Sequence, residues 1–338
     1  MILRKPSYYD KFCCIASRCP DTCCQLWDVQ VDPDTAAFYQ TLPGKLGEQV
    51  RNALYEEDGE ILISMKNGHC PLEDEHGLCS LQTRLGHQAL SRTCQEFPRL
   101  HHDYGSFQEL ELELSCPEAA RIVLTSPPAA CIEEVLPGGS EPEYDLDAME
   151  VLMSSREKTL LLLEDDSRPV FESLALFFFW GCHVQALLDG EEAGSFDPSA
   201  SLDTARNMAV AGSFPEILSF FSSLDILTES WKQLLSQAHA PEAHPLLRPF
   251  ARYLTERYWL QAVSDYDLYC RVKFILVSCL VVASLPGDFI WNAHLFSKEI
   301  ENDVENVDAI LDAAYTSPIF TDDKLLGFLL GNPETGKV

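Results

Sequence analysis

The chain has 338 residues, of which 53 are acidic and 24 are basic, giving a formal net charge of -29. Such an acidic surface repels phosphate backbones, so the composition argues against a nucleic-acid partner. The longest apolar stretch, Phe274 to Leu285, is interrupted by serines and is shorter than the roughly 20 residues that span a bilayer. We therefore expect a buried helix there and no association with a membrane.

Cysteine dominates the N-terminal part of the chain, since nine of the thirteen cysteines lie in residues 1–116. Clustered thiols at short spacing are typical of a soft metal ion or an iron–sulfur cluster, whereas buried structural cysteines usually occur singly. The sequence therefore predicts a thiolate-held metal centre. Its candidate ligands are Cys14, Cys19, Cys23, Cys24, Cys70, Cys79, Cys94 and Cys116.

Disulfide bonds are the alternative explanation for so many cysteines, and they require an oxidising compartment. The first ten residues, Met1 to Asp10, contain no apolar run followed by small residues at a cleavage site, so they do not resemble a signal peptide. We therefore expect a cytoplasmic protein in which the thiols are available to a metal.

Short strands and turns are predicted around these cysteines. Ile61 to Met65 is a candidate strand, and Glu73 to Gly77 reads as a turn that brings Cys70 and Cys79 together. From Phe107 to Leu114, leucine and glutamate alternate strictly, which predicts a half-buried strand that ends just before Cys116.

The rest of the chain is predicted to be helical. Residues 126–145 are rich in proline and glycine and are interpreted as a linker. Helical periodicity then runs through Leu174–Leu188, Glu216–Leu235, Leu246–Val263 and Lys298–Tyr315. The expected fold class is α+β, mainly α. A cysteine-rich domain at 1–125 is followed by a helical domain at 146–338.

The spacing of the thiols favours an iron–sulfur cluster over zinc. A zinc finger or ribbon needs separated Cys-x2-Cys or Cys/His pairs, and this chain has no Cys-x2-Cys. The adjacent Cys23 and Cys24 can hardly chelate one small ion, whereas a cluster tolerates irregular spacing. Eight thiols exceed the four that one cluster needs, so there are two centres or half of the thiols are structural.

The sequence lacks two other common cofactor signatures. No glycine-rich nucleotide motif is present, and the Cys-x3-Cys-x2-Cys pattern of radical S-adenosylmethionine enzymes fails, because Gln25 and Leu26 follow Cys23 and Cys24. Five histidines of the cysteine-rich part are either further ligands and proton carriers or ordinary surface and supporting groups. They are His69, His76, His87, His101 and His102.

Four ordered blocks of this part resemble the flagellin lysine N-methylase family. They are Phe12-x-Cys14-x4-Cys19-Pro-Asp-Thr-Cys23-Cys24-x2-Trp27, Cys70-Pro-Leu-x-Asp74-Glu-x-Gly77-Leu-Cys79, Leu90-Ser-x-Thr93-Cys94-x2-Phe97-Pro-Arg99 with His101-His102, and Leu114-Ser-Cys116-Pro-Glu-x2-Arg121. The same cysteine plan is similar to a broader group of zinc- or iron-chelating proteins. In the helical part the resemblance rests mainly on Arg252-Tyr-Leu-x2-Arg257-Tyr.

The resemblance implies an enzyme that transfers methyl groups from S-adenosylmethionine to lysine side chains of flagellin and carries a 4Fe-4S cluster. It also implies that the eight cysteines named above occupy the family's cysteine positions, with Cys13 as an extra. A non-catalytic zinc- or iron-chelating protein is the alternative. The long helical part favours the enzyme, because a pure metal carrier has little use for it.

Overall fold

A computed structural model describes residues 1–27, 29–128 and 130–331, and its fold is α+β, mainly α, as predicted. The strands are β1 Ile2–Pro6, β2 Val29–Gln30, β3 Leu54–Glu57, β4 Glu60–Ile63, β5 Arg99–Asp103, β6 Phe107–Leu112 and β7 Cys131–Val135. The helices are α1 Pro33–Thr41, α2 Gly44–Ala53, α3 Ser80–Leu85, α4 Arg92–Glu96, α5 Pro117–Thr125, α6 Leu146–Glu164, α7 Val170–Leu188, α8 Pro198–Met208, α9 Phe214–Phe221, α10 Glu229–Ser236, α11 Leu247–Tyr258, α12 Leu268–Ser284, α13 Phe289–Phe296, α14 Val304–Thr316 and α15 Asp322–Leu330.

A four-stranded sheet has the strand order β5-β6-β1-β7, so the start of the chain pairs with β6. The strand predicted at 107–114 is confirmed as β6. β1 runs parallel to β6 and antiparallel to β7, while β5 and β6 form an antiparallel hairpin. β7 lies inside the segment 126–145 that was interpreted as a linker. The proposed division of the chain into domains at that segment stays a prediction.

A smaller sheet in the order β2-β4-β3 carries its own hydrophobic core. Val29, Tyr39, Val50 and Leu72 are among the buried residues of this second core, which packs between the sheet and the short helices α1 to α3. The predicted strand at 61–65 is confirmed as β4. The predicted turn at 73–77 is also present, because Asp74 receives a backbone hydrogen bond from Gly77 and donates one to the Leu78 carbonyl.

The large core is built around α12, in which nearly every side chain is buried. α12 packs against α7, α11 and α14, and the predicted helices at 174–188 and 246–263 are confirmed as α7 and α11, the latter followed by a 3-10 turn at Trp259–Val263. Leu112, Leu114 and Leu124 from β6 and α5 enter the same core. The large core therefore includes residues from both sides of the predicted linker.

Two predicted helices were wrong in their extent. The stretch 216–235 is two helices, α9 and α10, because Thr228 caps α10 by accepting a hydrogen bond from the Trp231 amide at 3.2 Å. The stretch 298–315 is a π-helical turn at Ser297–Glu301 followed by α14, which Asp303 caps. Capping side chains end and restart a helix, while the apolar periodicity continues because both pieces face the same core.

One helix, α7, is long and apolar enough to cross a membrane by length and composition alone. Within the described residues, 56% of its most apolar window is buried, and the helix packs against α6, α8, α12 and α15. Core helices of this kind pass the same test, so the expected absence of a membrane span stays a prediction.

Close backbone packing at Gly327 generates a first prediction. A Cβ atom added to this residue of α15 would lie 1.8 Å from the carbonyl oxygen of Val210. Because a backbone atom cannot swing aside, Gly327→Ala is expected to lower the free energy of unfolding by about 1–3 kcal/mol, measured by chemical denaturation. Gly194→Ala is the control, since nothing lies within 4 Å of its added Cβ. Equal stability of the two variants would contradict this packing.

Candidate metal centre and the cavity beside it

Four of the predicted ligands gather at the edge of the second core and are called the inner thiols: Cys24, Cys70, Cys79 and Cys94. Cys70 is buried in that core and the other three pack against it. The Cys70 amide donates to the Cys24 carbonyl at 2.8 Å, and Cys79 forms a β-bridge with Glu73 across the predicted turn. Ionised Cys24, Cys79 and Cys94 would each raise the pKa of Cys70, so the four sulfurs are electrostatic neighbours.

The remaining four, called the outer thiols, are Cys14, Cys19, Cys23 and Cys116. Cys116 packs against the large core, at the start of α5. Its pKa is raised by the charges of Cys19 and Cys14 as well as by burial, so these three lie near one another. Cys23 has electrostatic neighbours in both groups, namely Cys14 on one side and Cys94 on the other.

Burial keeps most of these thiols protonated. It raises the pKa of Cys70 to about 12 and that of Cys94 and Cys116 to about 11. Cys24 differs, because a hydrogen bond with the Cys23 thiol lowers its pKa to about 7. Thiolates are the metal-binding form, so a bound metal must displace these protons.

In chemistry and in number the thiols suit a cluster, which takes four thiolates per centre. Within residues 1–27, 29–128 and 130–331, however, no three His, Cys, Asp or Glu side chains are grouped as a metal-ion site. All thirteen cysteines, which lie within these ranges, are free thiols. The eight candidate ligands thus occupy two neighbourhoods of four, and their role as ligands stays a prediction.

The five histidines lie apart from the sulfurs in most cases. His69 hydrogen-bonds to Glu73 at 3.1 Å, and its charge lowers the pKa of the nearby Cys24. His76 lies beside Glu75, and His87 begins a 3-10 turn. His101 and His102 are in β5 and line a separate open groove of about 940 Å³.

A single carboxylate, Asp21, joins the outer-thiol loop to the helical part. Its Oδ2 accepts a hydrogen bond from Lys298 Nζ at 2.7 Å and lies 3.0 Å from His294 Nε2. The other ring nitrogen of His294 lies 3.1 Å from the Leu114 carbonyl oxygen, so both ring nitrogens face acceptors. Burial alone would raise the pKa of Asp21, but the hydrogen bonds with His294 and Lys298 outweigh it and lower that pKa to about 2.

A cavity of about 440 Å³ lies beside this junction. Its walls come from the outer-thiol loop, from the residues around Phe97 and Glu113, and from the segment that follows α13. They comprise Thr22, Cys23, Gln25, Leu26, Trp27, Phe97, Glu113, Ser115, Leu227, Lys298, Asn302 and Asp303. Trp27 and Phe97 form a tilted aromatic pair with ring centroids 5.9 Å apart, so the cavity has both an aromatic wall and charged walls.

A row of buried glutamates leads away from this cavity along β6. In the predicted strand segment Leu112 and Leu114 are buried and Leu110 is partly buried, but Glu109, Glu111 and Glu113 are buried as well, with 7%, 9% and 7% exposure. Glu109 is held by Arg156 in a two-pronged ion pair, and Glu111 lies 3.7 Å from His102. Glu113 lines the cavity and accepts a hydrogen bond from the Ser115 hydroxyl at 2.6 Å.

The Arg252 to Tyr258 block of α11 packs against this glutamate row. Arg257 pairs with the buried Glu301 at 3.4 Å, and Tyr258 donates to the same carboxylate. Arg252 contacts Glu256 at 3.0 Å, and both of them line two small cavities of about 170 and 250 Å³. Burial raises the pKa of Glu256 to about 7.

Sequence reasoning did not find Asp21, His294, Lys298 or Glu256. Two signals were available. Asp21 follows Cys19-Pro inside the cysteine block, and His294 interrupts the otherwise apolar Phe289–Phe296. A polar residue in an apolar helix usually has a specific partner.

Comparison with known proteins defines the family of this chain. The chain is 34% identical over 137 residues to lysine-N-methylases of Salmonella typhimurium and Salmonella choleraesuis. In both cases the match covers 38% of this chain and 34% of the relative, so the chain matches about a third of their length. The flagellar biosynthetic protein FliU of Salmonella muenchen matches at the same identity over 81% of its length.

The chain belongs to the family of these lysine-N-methylases and FliU. No protein-family model and no solved structure matches it.

The partly buried Glu256 generates a prediction of pH dependence. Its pKa is raised from the ordinary 4.5 to about 7 by burial, so between these values the folded chain holds a proton that the unfolded chain releases. The unfolding free energy of the wild type minus that of Glu256→Gln should therefore fall as pH rises from 4.5 to 7. Arg252, Arg156 and Glu111, which face Glu256, are present in both proteins.

Chemical denaturation across this pH range measures the difference. Glu150→Gln, on the exposed side of α6, is the matched control. A difference that rises with pH, or one that the control reproduces, would show that Glu256 is not the group responsible.

Proposed function

We propose that this protein is an S-adenosylmethionine-dependent lysine N-methyltransferase that acts on flagellin and carries a 4Fe-4S cluster. The observation that carries the proposal is the match to proteins named lysine-N-methylase and FliU. The thiol groups, the adjoining cavity and the buried carboxylates are compatible with it, because methyl transfer needs a bound donor and an acceptor for a proton.

The cluster is proposed to be bound by the cysteines that the sequence identified. Either the inner thiols or the outer thiols provide a set of four, which is the number that a 4Fe-4S cluster takes. When bound, the cluster would supply thiolate-held iron and would cross-link loop segments that are distant in the sequence. Cys13 is exposed and is left out of both sets.

The reaction makes definite demands on the chain's own residues. A neutral lysine amine attacks the methyl carbon, the N–C bond forms while the S–C bond breaks, and the donor leaves as a neutral thioether. The lysine must lose a proton, which needs a nearby base, and the two reactants must be aligned.

The activity is tested by incubating the anaerobically purified protein with flagellin and S-adenosylmethionine. We expect methyl groups on flagellin lysines, detected by mass spectrometry. If the charge of -29 steers the substrate, transfer should fall with rising salt, since exposed charges are screened beyond about 8–10 Å at physiological ionic strength.

A rate of methyl transfer that does not change with salt would exclude electrostatic steering and would leave the proposed enzymatic activity unaffected. Iron-loaded protein that neither binds S-adenosylmethionine nor methylates flagellin would instead favour the non-catalytic metal-chelating alternative.

Metal content is tested independently of activity. The protein should contain iron and acid-labile sulfide and absorb broadly in the visible, and Cys79→Ser or Cys94→Ser should lose the metal and destabilise the N-terminal part. Cys131→Ser and Cys270→Ser, outside the candidate set, are the controls and should retain the metal. Stoichiometric zinc without sulfide, or equal metal loss in all four variants, would overturn the cluster assignment.

A further inference from the structure

The cavity of about 440 Å³ beside Cys23 has the size and wall chemistry of a small-molecule site. Its volume lies within the range of roughly 300–1,000 Å³ that is usual for such sites. It is formed by residues from distant parts of the chain, and one wall belongs to the outer-thiol loop. Resting on the proposed function, we propose that this cavity binds the methyl donor, a ligand with a purine ring, a sulfonium cation and an amino-acid carboxylate.

The aromatic wall suits the purine. Trp27 and Phe97 are inclined by 37° with their centroids 5.9 Å apart, and the indole is fixed by its Nε1, which donates to the Cys23 carbonyl at 2.6 Å. Aromatic side chains bind bases by stacking, and a ring that is already held in place loses little entropy on binding.

The carboxylate of Glu113 suits the sulfonium. A sulfonium carries a permanent positive charge, so a buried anion and an aromatic face both attract it. Within the part of the chain that the structure describes, Glu113 forms no ion pair within 4 Å, unlike its neighbour Glu109, which pairs with Arg156. The Ser115 hydroxyl donates a hydrogen bond to the Glu113 carboxylate, and Glu113 lines the cavity while lying close enough to Arg257 for their charges to interact.

Lys298 suits the amino-acid carboxylate. Its side chain is 11% exposed and lines the cavity while donating to Asp21. An ammonium group has three donors, so Lys298 can hold Asp21 and a ligand carboxylate together. Donor binding would then be coupled to the contact that joins the outer-thiol loop to the helical part.

The backbone around the cavity has the irregularities that accompany binding sites. Leu26, in the cavity wall, has a φ of +66°, a left-handed conformation that is costly for a branched residue. On the opposite side, the π-helical turn Ser297–Glu301 presents Lys298 and leads into Asn302. Such π-turns occur frequently at functional sites.

Calorimetry with two probes tests the assignment. S-adenosylmethionine and S-adenosylhomocysteine share the purine and the carboxylate, but only the first carries the sulfonium charge. Trp27→Leu and Phe97→Leu keep apolar bulk and remove an aromatic ring, so each should lower the affinity for both probes by roughly 5-fold or more. Glu113→Gln keeps the hydrogen-bond acceptor for Ser115 and removes the charge. It should therefore lower the affinity for S-adenosylmethionine by about tenfold and leave the affinity for S-adenosylhomocysteine unchanged.

The matched control is Tyr266→Leu in the separate groove of about 940 Å³, which should leave both affinities unchanged. Circular dichroism and thermal melting establish that each variant is folded. If Trp27→Leu fails to fold, Phe97→Leu and Glu113→Gln decide the matter.

Different results would overturn the assignment of the donor to this cavity and the proposed function. Suppose that the wild type binds S-adenosylmethionine and methylates flagellin, but that Tyr266→Leu abolishes binding while the three cavity variants leave it unchanged. This result would place the donor in the larger groove and would overturn this inference alone. Equal loss of both probes in Glu113→Gln would overturn the role given to its charge. Failure of the wild type to bind either probe would overturn the proposed function as well.

Discussion

The contact between Asp21 and two residues of the helical part, His294 and Lys298, holds the site together. The outer-thiol loop contains little regular structure, so packing alone does not fix it against the large core. The largely buried Asp21 carboxylate does so through its contacts with His294 and Lys298, and His294 also reaches the Leu114 carbonyl. Removal of both partners would leave the Asp21 charge without compensation, which is costly. Lys298 takes part in this contact and also lines the cavity beside Cys23.

A second constraint on the structure is the burial of charged side chains. The glutamates of β6 lie on the strand between β1 and β5, and α6 supplies Arg156 to Glu109, while Arg252 of α11 pairs with the nearby Glu256. Burial of so many carboxylates weakens stability unless each finds a donor or a cation. Most of them do, and Glu256 shows the cost through its raised pKa. Such arrangements are commoner at functional sites than in cores built only for stability.

Local signals in the sequence predicted local structure well. The alternation at 107–114 identified β6, and the Asp-Glu-His-Gly segment identified the turn between Cys70 and Cys79. Alternation could not show that the glutamate face is also buried, because that depends on α6 and α11, which lie far away in the sequence. Periodicity likewise joined α9 to α10, since the cap at Thr228 is a single side chain within a continuous apolar pattern.

The candidate site shows the same limit. The spacing of the cysteines identified the eight thiols as a set, but only the fold shows that the inner thiols pack on the second core, whereas Cys116 of the outer thiols packs on the large core. His294 and Asp21 are 273 positions apart, and no local pattern links them. Residues that act on the same ligand are often contributed by distant segments, whereas sequence patterns report neighbours.

The cavity is connected to both the inner and the outer thiols through Cys23. Cys23 has electrostatic neighbours in both thiol groups, lines the cavity, and accepts the hydrogen bond that fixes Trp27. A change in the thiols, such as metal loading or loss, would therefore reach the aromatic wall through one peptide unit. It would reach the charged wall through Asp21 and Lys298. Because both walls depend on the same loop, the cysteine-rich part and the helical part must fold against each other before either can present a complete cavity.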